Sequence, residues 1–226
     1  MISLRFPCLL LMSLLIPSTV VAQIAFDNLD GTPVNALFAS DQAFLQVHAD
    51  DVTLDTTTTI SAIEFTGAFT TAGFGGDGNS APEDDNFVIT IYDQDPNTPG
   101  ITPAGSFNLG NSGVSRTDSG VDVFGSDVFN FSAPVDFTFT AGDTFFVLIE
   151  NNTGAADADA FSLGGFNGPP GNGLVSFNQG PFTVVPSGAE IDFRLISAST
   201  TVPEPGSTFV FLLGAAGFGL IRRRSC

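Results

Sequence analysis

The sequence predicts an all-β protein, a single jelly-roll-like β-sandwich, flanked by an N-terminal signal helix and a short C-terminal transmembrane helix. Three observations carry that reading. Period-two alternation of apolar and polar residues recurs through the middle of the chain. Gly, Pro, Asn and Asp break these runs at short intervals. No apolar repeat of helical period persists between the two ends.

Residues 1–22 open with one cation, Arg5, continue through Leu9-Leu10-Leu11-Met12 and Leu14-Leu15-Ile16, and reach Val20-Val21-Ala22. A charge, an apolar run and small residues in that order predict export, with signal peptidase cutting between Ala22 and Gln23. Residues 23–200 are read as the extracellular β-sandwich. In Phe87–Tyr92, the residues Phe87, Ile89 and Ile91 share one face, and Val88, Thr90 and Tyr92 the other, so that one face is expected to be core and the other wet. Val135, Phe137 and Phe139 alternate with Asp136, Thr138 and Thr140. The unbroken apolar run Phe145–Ile149 predicts a central strand covered on both faces. Glu190–Ile196 alternates again, with Ile191, Phe193 and Leu195 expected inward and Asp192 and Arg194 outward.

Shorter strand signals fall at 44–48, 57–65, 106–109, 121–131, 160–163, 174–177 and 182–185. Many short strands parted by turn residues are the pattern of a two-sheet sandwich. The stretches 73–85 and 164–173 are so rich in Gly, Pro and Asp that they read as exposed loops.

Composition narrows the function classes. The chain has 24 acidic residues and six arginines without a lysine, for a formal net charge of −18. Within residues 23–200 the only strongly basic side chains are Arg116 and Arg194. Nucleic-acid binding is excluded on charge. Cys8 and Cys226 both lie in terminal segments, so the middle of the chain holds no disulfide framework. Stability has to come from an apolar core, for which the 24 Phe are suited.

Candidate chemistry inside the sandwich is sparse. Asp93, Asp95 and Asn97 stand at alternate positions just after a strand, where oxygen side chains can converge on a hard cation such as calcium. The same residues equally suit a turn in which Asp and Asn cap backbone amides. Glu83-Asp84-Asp85, Asp50-Asp51 and Asp157 with Asp159 read as solvated loops. His48 is the only histidine, and its alternation with Val47 places it at an edge or on the surface. Glu150 with Glu190 is one conceivable pair for glycoside hydrolysis, but no spacing selects it. With no Trp and one Tyr, Tyr92, the chain lacks the usual sugar-stacking aromatics. These features predict a protein that is not an enzyme.

The end of the chain, residues 201–226, is an ordered signal. Pro203 and Pro205 stiffen the backbone around Glu204, and Gly206 follows. The apolar run that comes next is about 15 residues, or roughly 22 Å as a helix. That is short of the ~30 Å hydrocarbon core, so spanning needs local thinning and snorkelling. Arg222, Arg223 and Arg224 act as a membrane stop and hold the tail with its prolines outward.

Val202-Pro203-Glu204-Pro205-Gly206, the apolar segment and the arginine cluster together resemble the PEP-CTERM sorting signal of Gram-negative bacteria. The resemblance implies transient residence in the inner membrane and removal of the tail by an exosortase, a transpeptidase-like membrane enzyme. The protein would then be released or attached at the cell surface. Residues 91–100 and 131–152 are similar to a β-sandwich module found in many proteins with this tail. From residues and resemblance together, the expectation is an exported surface or matrix protein with a structural or adhesive role in the exopolysaccharide layer. A calcium-dependent carbohydrate-binding module is the alternative.

Overall fold

A computed structural model describes residues 22–29, 34–71, 85–153, 159–167, 173–177, 180–184 and 189–198. The expected signal helix and transmembrane helix lie outside the described residues, as do the Pro-Glu-Pro element and the arginine cluster. The strands are β1 (Gln23–Asp27), β2 (Ala36–Ala39), β3 (Gln46–Thr53), β4 (Thr58–Thr71), β5 (Phe87–Tyr92), β6 (Gly105–Gly110) and β7 (Ser115–Val123). They continue with β8 (Ser126–Phe139), β9 (Thr144–Asn151), β10 (Asp159–Asn167), β11 (Leu174–Phe177), β12 (Thr183–Val184), β13 (Ala189–Ile191) and β14 (Phe193–Ser197). Among the described residues the helical content is one 3-10 turn, Gln42–Phe44.

All strand pairings are antiparallel and make two sheets. An eight-stranded sheet is built around β4, which pairs β8 along one edge and β14 then β10 along the other. A six-stranded sheet has the order β12-β11-β3-β9-β5-β6. As predicted, the apolar run in β9 is internal to its sheet, between β3 and β5, because residues buried on both faces need neighbours on both edges.

The core lies where the alternation placed it. Ile63, Phe65, Phe131, Phe161, Phe193 and Leu195 of one sheet pack in one cluster with Phe87, Ile89, Ile91, Phe145, Val147 and Ile149 of the other. Its centre is a knot of rings: Phe65 stacks on Phe131 at 5.0 Å, and Phe87 meets Phe161 edge-on at 5.0 Å. These are geometries that aromatic quadrupoles favour. Phe139 and Phe145 form a second contact across the sheets at 4.8 Å.

Several expectations are corrected. The signal at 121–131 is not one strand: Phe124 and Gly125, with φ of 54° and 83°, form a two-residue turn between β7 and β8. Positive φ at both positions is what a tight hairpin needs. The stretch after Gly164 is not an exposed loop at its start, since Gly164 and Gly165 are buried within β10. The run 190–196 is two strands, β13 and β14, and the Asp192 between them is 4 % exposed rather than outward.

These last two deviations share a cause. At Asp192 the chain leaves β10 and joins β4: Asp192 N donates to Gly164 O at 2.9 Å, and Thr66 N donates to Asp192 O at 3.2 Å. Any Cβ at Gly164 would run into Thr66 Oγ1, so the fork between three strands closes only around a glycine.

His48 is a further correction. It is 3 % exposed, lies in β3 between β9 and β11, and faces the sandwich interior opposite Ile149. Sequence alternation alone did not reveal that β3 is covered on both faces. Val47 and Ala49 pack in a second apolar cluster with Leu148, Leu174, Phe146 and Phe182, which leaves the even-numbered residues to point inward. For the same reason Asp50 is not in a solvated loop: it lies in β3 and is 1 % exposed, and Asp85 too is buried, accepting from Asn151 Nδ2 at 3.0 Å.

Candidate functional site

That second cluster floors a cleft of about 260 Å³ on the outer face of the six-stranded sheet. Strand pleating sets its lining. Val47 of β3, Thr90 and Tyr92 of β5, Leu148 and Glu150 of β9 and Ser176 of β11 all project to the side away from the core. One wall is the turn before β3, which contributes Gln42 and Leu45. Leu45 has φ of 56°, a conformation uncommon for a residue with a Cβ, and its side chain is 48 % exposed. The turn is held closed by Asp41, whose backbone N–H donates to Gln46 O at 2.7 Å. The Asp41 carboxylate accepts from Phe161 N at 3.0 Å and Thr153 Oγ1 at 3.2 Å.

Phe182 also lines the cleft, and it is met by the loop of Asp93, Asp95 and Asn97, read from sequence either as a cation site or as a capped turn. Asn97 Nδ2 donates to Phe182 O at 2.9 Å, and Phe182 N donates to Asn97 Oδ1 at 2.7 Å. Asp95 Oδ1 accepts from Asn97 N at 2.8 Å, an Asx turn. The Asn97 amide is thus occupied by the Phe182 backbone, while Asp93 and Asp95 are exposed. Among the described residues no group of three His, Cys, Asp or Glu is arranged to hold a metal ion.

Glu150 is the charged group of the cleft. It is 7 % exposed, and Gln42 Nε2 donates to its Oε2 at 2.7 Å. Burial raises its pKa above the usual carboxylate range; the Gln42 bond opposes this and the nearby charge of Asp41 adds to it. Burial also raises the Tyr92 phenol, with the charge of Glu150 contributing. The other sequence candidates lie elsewhere. Glu190, on β13, hydrogen-bonds Asp50 on the interior face of the six-stranded sheet, so it does not face Glu150 across the cleft. His48 is held neutral, its pKa lowered to about 4 by burial, with Gln46 Nε2 2.9 Å from its Nε2 and the Phe38 ring 5.3 Å away. Nothing in the sequence marked Gln42, Leu45 or Ser176 as cleft residues, because it is the pairing of β3, β9 and β11 that assembles them.

At the N-terminal boundary Ala22 is exposed and Gln23 is the first residue of β1. At the C-terminal boundary the compact unit ends at Ala198. Residues 201–225 match the family of the PEP-CTERM protein-sorting motif. The chain carries a PEP-CTERM sorting tail. Comparison with curated proteins finds no match. The PEP-CTERM motif marks an exported protein of the cell envelope or surface whose tail is handled by an exosortase. The PEP-CTERM match covers the Pro-Glu-Pro element and the arginine cluster and does not extend into the sandwich, so the cleft's chemistry rests on its own residues.

Proposed function

We propose that this protein is delivered to the surface or extracellular matrix of a Gram-negative cell and has a non-enzymatic structural or adhesive role in the exopolysaccharide layer. The observation that carries the reading is the sorting motif at residues 201–225. The described domain suits the role. Successive strands pass repeatedly between the two sheets, as in a jelly-roll sandwich. A signal-peptidase cut between Ala22 and Gln23 would spare β1, and loss of the tail would spare β14.

A non-enzymatic role is supported by the separation of the acidic candidates. Glu150 and Glu190 face different sides of the sheet system, and the single histidine is neutral and buried. Glycosidases of the two-carboxylate kind need both groups flanking one bond. Carbohydrate binding is the second reading, favoured by the cleft with its Tyr92 and Phe182 rings. In its calcium-dependent form it predicts that EDTA abolishes glycan binding and lowers the melting temperature.

Mass analysis of protein from fractionated native cells tests the proposal. The expected species begins at Gln23, lacks the apolar tail and is recovered from the envelope or the medium. Intact chain in the cytosol overturns the reading.

A further inference from the structure

Among the described residues, no basic side chain neutralises the carboxylate in the cleft, and the domain has almost none to offer. Besides His48, the basic residues between positions 22 and 198 are Arg116 and Arg194. Both are engaged on the eight-stranded sheet. Arg116 lies over the Phe129 and Phe69 rings at 4.7 and 5.3 Å, and Arg194 lies 3.5 Å from Asp27 and 3.8 Å from Glu64. Among the described residues the hydrogen-bond donor to Glu150 is the neutral Gln42 amide, while burial and Asp41 both work against the charged form of Glu150. A buried carboxylate in this state gains most from a partner that brings its own positive charge.

The rest of the cleft limits what that partner is. Tyr92 and Phe182 offer ring faces, Thr90 offers a hydroxyl, the Ser176 hydroxyl donates to Gly180 O at 2.8 Å and is left to accept, and Leu45 is held over the rim by a left-handed turn. At about 260 Å³ the space is below the ~300–1,000 Å³ of pockets for drug-sized ligands and suits one ring. A ring with an apolar face, several hydroxyls and a cationic group is a hexosamine. An anionic sugar is opposed by Glu150, by Asp41 and by the field of a chain of net charge −18.

We propose that the cleft is a binding subsite for an amino-sugar residue of a polysaccharide, with its free ammonium paired to Glu150 and its ring against Tyr92. This deepens the matrix role proposed above and rests on it. Asn97 then acts as a positioning residue, since its two bonds to the Phe182 backbone fix one wall of the subsite.

Tyr92 is the only tyrosine and tryptophan is absent, so tyrosine emission reports on the cleft alone. The full chain is titrated with three β-1,4-linked tetrasaccharides that differ at C2: fully deacetylated glucosamine tetramer, its N-acetylated form and cellotetraose. The deacetylated tetramer should change the emission saturably and bind at least about ten-fold tighter than the other two, as expected for one charge-assisted hydrogen bond. Glu150→Gln should remove that advantage. Asp136→Asn, an exposed acid on the eight-stranded sheet, should leave it unchanged. Should Glu150→Gln fail to fold by circular dichroism, Tyr92→Ala read by calorimetry must show the same loss.

Equal binding of all three sugars overturns the amine assignment and leaves the matrix role standing. Binding that persists in Glu150→Gln reveals non-specific attraction to the acidic surface and also overturns it. Failure of the matrix role itself is read separately, from the cell fraction that holds the protein.

Discussion

Asp50 and Glu190 meet between the two sheets and share a hydrogen bond, although both are acids. Burial is the main cause, and the charge and hydrogen bond of Glu190 add to it: together they push the Asp50 carboxyl up to about 9. Asp50 therefore carries its proton at neutral pH and donates it to Glu190. Asp50 Oδ2 also accepts from Ile191 N at 3.2 Å, and Asn28 Nδ2 donates to Glu190 Oε2 at 3.3 Å. The pair ties β3 to β13 at one end of the sandwich.

The first expectation is a stability that falls on the alkaline side. A carboxyl with a raised folded pKa holds more protons in the native state than in the unfolded chain from about pH 4 to about pH 9. Its contribution is full below the unfolded value and is lost as pH rises through the folded one. Melting temperature should decline from about pH 6.5 to about pH 9. Asp50→Asn should flatten that decline, and an equal decline in the variant would remove Asp50 as its origin.

His48 supplies the opposite slope. Its folded pKa of about 4 lies below the ordinary value of 6.5, so its contribution is present above 6.5 and is lost as pH falls through 4. Between these values the two groups oppose each other, and the melting temperature of the native chain should be nearly level. In His48→Gln the Asp50 slope is unmasked, and the melting temperature should keep rising as pH is lowered from 6.5 to about 4. A thermal-melt series by circular dichroism at half-unit pH steps reads both.

Phe131 sits within ring distance of Phe65, Phe69, Phe87, Phe129 and Phe161. Phe131→Ala should cost about 3–5 kcal/mol in urea unfolding, the range for a large cavity in a packed core. Phe124→Ala should change stability by less than about 0.5 kcal/mol, because Phe124 is 71 % exposed at a hairpin tip.

The strand fork at Gly164 can be tested by coupling. Gly164→Ala should destabilise by roughly 1–3 kcal/mol, since the added methyl meets Thr66 Oγ1 in a buried, hydrogen-bonded setting. In a Thr66→Ala background the same change should cost less. A double-mutant cycle with no coupling between the two sites would show that the fork is not closed by this contact.

Asn97→Ala removes two hydrogen bonds from the Phe182 backbone at an exposed site. Global stability should fall by no more than about 1 kcal/mol per bond. Amide exchange of the Phe182 N–H should quicken well beyond that of the β9 amides, because the opening is local. Unchanged exchange would mean that the cleft wall is held by other contacts.

Several features could be read without the fold. The alternation in Phe87–Tyr92 put Phe87, Ile89 and Ile91 on one face, and that face is core, but the face expected to be wet is also buried at Val88 and Thr90. The apolar run of β9 announced a strand with neighbours on both sides. Both readings are local, since side-chain period and local burial are properties of a few consecutive residues. β1 and β2 were not legible: Gln23–Asp27 and Ala36–Ala39 are short, with weak alternation, and become strands by pairing β14 and β10.

By itself the sequence determined the strand-rich class, the inward set of phenylalanines, the acidic surface and the sorting tail, all of which depend on residues close together along the chain. Only the tertiary structure decided which acids meet. Asp50 with Glu190, and Glu150 with Gln42, lie 140 and 108 positions apart. Likewise, His48 became an interior residue because Val47 and Ala49 turn to the outer cluster with Leu174 and Phe182, which leaves the even-numbered side of β3 facing inward. Burial and charge act through space, so a group's chemistry is set by what long-range pairing lays against it rather than by its neighbours in the chain.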